Sequence, residues 1–165
     1  MDFSQYPVAT FEVATVHVDP SGDIKLLAQD GEKKKTFVVS SKAMCLASPV
    51  WSAMLNPKSH FKEANPDNGE ISLKDDDQEA LSILLDIAHL RFSKIPLSLT
   101  YELLVGVAVL CDKYDLVTLV RPWLPKWYEK LWDLRNGDGF EKWLFIAWTF
   151  GDAITFERNE LGNEV

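Results

Sequence analysis

Up to about residue 40, and again near residues 71–75, the apolar positions come in short β-rich runs bounded by turn formers; over residues 41–55 and from residue 76 onward they recur with helical spacing. The first run, "TFEVATVHVDPSGDIKLLAQ" over residues 10–29, places two β-rich stretches around "DPSG". Pro and Gly there suit a tight reversal, so the pattern predicts a hairpin. "QDGEKKK" predicts a second turn and "KTFVVS" a further strand, with Lys33, Lys34 and Lys35 read as a solvated loop. Residues 1–9 carry little pattern and are read as a loose terminus.

"SKAMCLASPVWSAML" has the spacing of one helix until Ser48-Pro49 interrupts it. Proline inside a helix removes a donor and clashes with the carbonyl four residues back, but at the first helical position it costs little. With Ser48 as N-cap, the segment predicts two short helices meeting at a corner. "HFKEANPDNGE" is rich in turn formers, and "ISLKD" reads as a short strand.

"DDDQEALSILLDIAHLRF" opens with carboxylates that suit a helix N-terminus, and Asp76 with Glu79 has capping-box spacing. A calcium loop would need alternating ligands and a terminal bidentate glutamate, which are absent. On this helix Leu81, Leu84, Leu85 and Ala88 form one apolar face, and Ile83, Ile87 and Leu90 a second. Ser82, Asp86 and His89 form a narrow polar strip, with Asp86 and His89 expected as a surface ion pair.

"SLTYELLVGVAVLCDKYDL" is apolar almost all round and predicts a central buried helix, with Gly106 permitting close packing. "VRPWLPKWYEKLW" places Trp123, Trp127 and Leu131 four residues apart, with Leu124, Tyr128 and Trp132 alongside, in a helix starting near Pro122. "DLRNGDGF" breaks the pattern. Phe140, Trp143, Leu144, Ala147 and Trp148 then form a stripe ending near Gly151-Asp152, and "AITFERNEL" suggests a terminal helix.

Composition narrows the function classes. With 47% hydrophobic residues in 165, the chain can bury a core as one domain with a small appendage. A net charge of −8 argues against a nucleic-acid binder, which needs a basic face to displace counterions. The two cysteines, Cys45 and Cys111, sit in apolar helical contexts and read as small buried hydrophobes in a reducing compartment. No stretch has the build of a signal peptide or the length of a membrane span.

No Walker loop, dinucleotide glycine pattern, paired metal spacing or nucleophile elbow occurs, and His17, His60 and His89 are scattered. Asp86 with His89 is the one pair that would suit a small hydrolase, without a nucleophile beside it.

Laid in order, several stretches resemble the BTB/POZ family over about residues 22–132. "GDIKLLA" is similar to its opening strand and "TFVVSSKAMCLASPVWSAML" to its strand and helix–corner–helix. "ISLKDDDQEALSILLDIAH" is similar to its strand and third helix, and "LLVGVAVLCDKYDL" to its buried helix. The tail "FEKWLFIAWTFGDAITF" resembles the helical pair found in a group of BTB proteins from filamentous fungi. Where the family usually has histidine before the lysine of the first helix, this chain has Ser41 before Lys42.

The resemblance implies an α+β fold, a small sheet at one end of a helical cluster plus C-terminal helices. It divides the chain into residues 1–9, a domain over 10–135 that includes the hairpin, and a helical extension over 136–165. It further implies a cytoplasmic or nuclear interaction module with protein partners and no catalysis, cofactor, metal, nucleic acid or membrane.

For a homodimer the implied contacts are Phe11, Val13, Val16 and Val18 with Lys42, Met44 and Cys45, Met44 being either a contact or core. For an adaptor of a cullin-type ubiquitin ligase they are Phe61 and Glu63, the hydrophobic-x-Glu element of the loop, where Phe61 is otherwise a loop anchor.

Overall fold

The computed structural model describes residues 14–30, 33–56, 58, 69–131 and 140–151. The strands are β1 (Ala14–His17), β2 (Ile24–Asp30), β3 (Lys33–Val39) and β4 (Glu70–Leu73). The helices are α1 (Ser41–Ala47), α2 (Pro49–Met54), α3 (Gln78–Ala88), α4 (Tyr101–Tyr114), α5 (Val117–Val120), α6 (Leu124–Leu131) and α7 (Phe140–Phe150). The fold is mixed α+β, a small sheet joined to a larger set of helices.

The strand order is β1-β3-β2-β4, which corrects the hairpin expected around "DPSG". β2 and β3 form the antiparallel hairpin, and β1 lies parallel to β3 on its other side, with Ala14 opposite Lys35 and His17 opposite Val38. The turn does reverse the chain: Gly22 N–H donates to the Asp19 carbonyl and Ser21 N–H to the Asp19 carboxylate. It reverses the chain across the end of β3 instead of between neighbours.

Gly22 is needed for that close crossing. A Cβ there would lie 2.7 Å from the Val39 carbonyl oxygen and 2.8 Å from Val38 Cγ1. β3 takes the inner position because Thr36, Phe37, Val38 and Val39 are all buried, the continuous apolar run of a central strand. The lysines expected in a loop begin this strand; Lys33 and Lys34 are exposed, and Lys35 Nζ lies 5.1 Å from the centre of the Phe37 ring.

The corner forms as expected. The Ser48 side chain accepts from Trp51 N–H at 2.9 Å, capping α2, with Pro49 in the first turn. Ser48 Oγ also donates to the Tyr114 carbonyl at the end of α4, and the Trp51 and Tyr114 rings pack with centroids 5.5 Å apart. α3 is capped by Asp77, which accepts from Ala80 N–H at 2.7 Å, and not by Asp76. Asp76 is buried instead, accepting from Lys113 Nζ and Tyr114 O–H, so the end of α4 claims the carboxylate that spacing alone assigned to the cap.

Phe37, Met44, Trp51, Leu81, Leu84, Leu85, Leu104 and Leu110 make the centre of the core, between the sheet and α3–α4. α4 is buried along Leu104, Val107, Ala108 and Cys111, while Val109 is exposed. Gly106 faces α3, where an added Cβ would lie 3.3 Å from Ala80 Cβ. Trp127 and Leu131 of the α6 stripe are buried and Trp123 is half-buried.

α7 packs on this core through Trp143, Ile146, Ala147 and Phe150, and Trp148 of the expected stripe is 73% exposed. An apolar helix offers several stripes of equal quality. Here the Trp143 ring, 5.4 Å from Tyr101 and 6.2 Å from Tyr128, sets the inward face. Gly151, at φ +67°, ends the helix. No helix among the described residues is long and apolar enough to cross a membrane.

Candidate functional site

Three side chains, two of them from distant elements, satisfy the opening turn of α1. Ser40 is the N-cap and accepts from Ala43 N–H. Asp23, after the "DPSG" turn, accepts from both Ser41 N–H and Ser41 Oγ, and these bonds hold its carboxyl below the usual carboxylate range. His89, at the end of α3, accepts from Ser40 N–H through Nε2 at 3.0 Å.

That last contact overturns the expected Asp86–His89 ion pair. His89 Nδ1 lies 2.8 Å from the Leu85 carbonyl, so both ring nitrogens are engaged by backbone. Asp86 pairs with Arg91 at 3.3 Å, and burial raises its carboxyl above the usual value while the Arg91 cation opposes that rise. The acid and imidazole needed for a hydrolase are therefore committed to separate structural contacts.

A groove of about 410 Å³ opens beside this junction, between α1, the end of α3 and α5. Its apolar lining includes Ala43, Leu46, Ala47, Ile87, Leu90 and Leu119, and Asp19, Ser40 and His89 supply polar atoms. Leu46 is 90% exposed and Leu90 74% exposed.

Leu90 was expected on the second apolar face of α3, a face to be covered by either the core or a partner. The helix ends at Ala88, and Leu90 takes φ +60°, the left-handed position of a helix stop. Arg91 N–H donates to the Asp86 carbonyl and Leu90 N–H to the Ile87 carbonyl, the paired bonds of a Schellman motif. Glycine is the usual residue there, because a Cβ in this region costs about 1–2 kcal/mol. Leu90→Gly is expected to raise unfolding stability by about 0.5–1 kcal/mol in urea denaturation, since relief of this strain exceeds glycine's added chain entropy.

The residues expected at a dimer contact divide. Met44 is fully buried, Val18 is buried, Val16 and Cys45 are half-buried, and Lys42 is exposed. Met44 therefore belongs to the core of a single chain. Phe11, Val13, Phe61 and Glu63 lie outside the described residues, as do His60, Trp132, residues 133–139 of the "DLRNGDGF" break and the "AITFERNEL" segment.

Leu46 ends the run Ser41 to Leu46 that the resemblance implies for a first-helix dimer contact, though the sequence did not single it out within that run. At about 100° per residue it stands roughly opposite Met44 and on the same face as Lys42, so an inward Met44 already implies an outward Leu46.

Both cysteines are free, and burial pushes the Cys111 thiol up to about 12, which makes it an unreactive packing residue. Among the described residues no three His, Cys, Asp or Glu side chains converge to hold a metal ion. The sequence matches no protein-family model and no curated protein at a significant level.

Proposed function

We propose that the chain is a BTB/POZ-type interaction module, non-catalytic, that assembles with a second copy of itself across the Leu46 face of α1 and the edge of β1. Leu46 carries the reading. A leucine 90% exposed beside an apolar groove, on a helix whose start is anchored by hydrogen bonds to three side chains, is a surface shaped for contact. The order of strand, capped corner, strand and long helices supports the family assignment, since it follows the stretches that carry the resemblance. β1 stands at one end of the sheet order, so its outer backbone edge offers a second, strand-pairing contact.

The test is light scattering behind size exclusion over about a hundredfold range of concentration. The wild-type chain is expected at twice 18.7 kDa, persisting on dilution. Leu46→Asp is expected to raise the dissociation constant by about tenfold or more, because a desolvated carboxylate at a contact centre costs at least about 1.4 kcal/mol. Its urea midpoint should fall by no more than the lost association free energy accounts for, since the side chain is solvated in the monomer. A wild-type monomer at every concentration would overturn the reading.

A further inference from the structure

The hydrogen bonds of His89 admit one protonation state. Nε2 faces the Ser40 N–H, a donor with nothing to accept, and must be bare; Nδ1 faces the Leu85 carbonyl, an acceptor, and must carry the proton. Protonating the ring places a second donor against Ser40 N–H. That bond fixes the N-cap of α1 to the end of α3, and both residues line the groove that Leu46 and Leu90 flank.

We infer that His89 is a pH-sensitive latch on the assembly face: neutral, it holds α1 against α3, and charged at both nitrogens it releases Ser40 and weakens self-association. The inference rests on the homotypic reading for its consequence, but the latch itself is a property of one chain.

The charged neighbours do not produce the same response. Asp23 supports α1 through Ser41, and its carboxyl, held below the usual range, stays ionised under mild acid. Asp86, on the same helix as His89, has a raised carboxyl; a folded state that takes up a proton more readily than the unfolded one gains stability as pH falls, the opposite sign. Arg91 and Lys94 lie beyond the helix end and act on Asp86, and Asp19 lines the groove from the turn after β1. His17 is exposed on β1, and its contribution cancels when wild type is compared with a variant that retains it.

The experiment compares wild type with His89→Gln, whose amide keeps one donor and one acceptor and does not titrate, between about pH 7.5 and 5.5, the span in which imidazoles ordinarily charge. Amide exchange at Ser40, read by NMR on the single chain, is expected to quicken about tenfold in wild type relative to the change in His89→Gln, the order of one lost hydrogen bond. The wild-type dissociation constant should rise by a similar factor, and that of His89→Gln by less than about twofold. Nitrogen shifts of the wild-type ring should report the Nδ1–H tautomer at the higher pH, a reading independent of the variant's folding.

Equal pH responses of Ser40 in the two proteins, or an Nε2–H tautomer, would overturn the latch. A chain monomeric at both pH values but with the expected Ser40 response would overturn the assembly reading and leave the latch standing.

Discussion

Replacing Trp51 by alanine is expected to lower the unfolding free energy by about 3–5 kcal/mol, a large part of what holds a domain of this size together. The indole is fully buried and packs on Tyr114, whose carbonyl accepts from Ser48 Oγ and whose hydroxyl donates to the buried Asp76. Trp51 therefore packs α2 against the end of α4, where Tyr114 is in turn tied to the carboxylate preceding α3. Truncation removes both its transfer free energy and the contacts of a site that cannot collapse, because hydrogen bonds fix its walls. Urea denaturation followed by circular dichroism should show a lower midpoint with unchanged slope, and Trp51→Phe, which keeps most of the packing, should lose about 1–2 kcal/mol. A loss below about 1 kcal/mol for Trp51→Ala would mean that the corner is not clamped to α4.

The corner was legible in the sequence because its chemistry is local: a serine that caps and a proline tolerated only at a helix start specify the break within a few residues. The strand pairing was not, since "DPSG" encodes a reversal but says nothing about which strand enters between its arms. That depends on the run Thr36 to Val39, which needs burial on both faces and so takes the inner position. Asp76 and His89 were misassigned for a related reason. Each has a plausible partner three residues away, and each is claimed by a group far along the chain, Tyr114 and Ser40 respectively. Spacing identifies local candidates; it carries no information about competitors brought in by the fold.

The α7 stripe was legible only in part: Trp143 and Ala147 face inward as expected, whereas Trp148 faces out. In "FEKWLFIAWTF" the apolar residues permit more than one inward face, and the rings of Tyr101 and Tyr128 select the one containing Trp143, Ile146 and Phe150. On α1 the same ambiguity is settled by Met44. Once that side chain is inside, helical geometry sends Lys42 and Leu46 outward together, so the part of the helix available to a partner is the part the core does not use.

The division of α1 predicts opposite outcomes for two neighbouring substitutions. Met44→Asp places a carboxylate where a fully buried side chain contacts the core, with no cation or donor provided. Lost apolar burial alone accounts for about 2–5 kcal/mol, and a buried unpaired acid adds at least about 2 kcal/mol whether it ionises or takes up a proton. The sum approaches the total stability of a typical domain, about 5–15 kcal/mol, so Met44→Asp is expected to be largely unfolded, with near-ultraviolet circular dichroism lost. Met44→Leu, nearly equal in volume, should fold with a loss under about 1.5 kcal/mol. A folded, stable Met44→Asp chain that had merely lost self-association would place Met44 at the partner surface and reverse the assignment of the two faces of α1. If Met44→Asp unfolds while Leu46→Asp stays folded and dissociates, the inner face supports the fold and the outer face serves the partner.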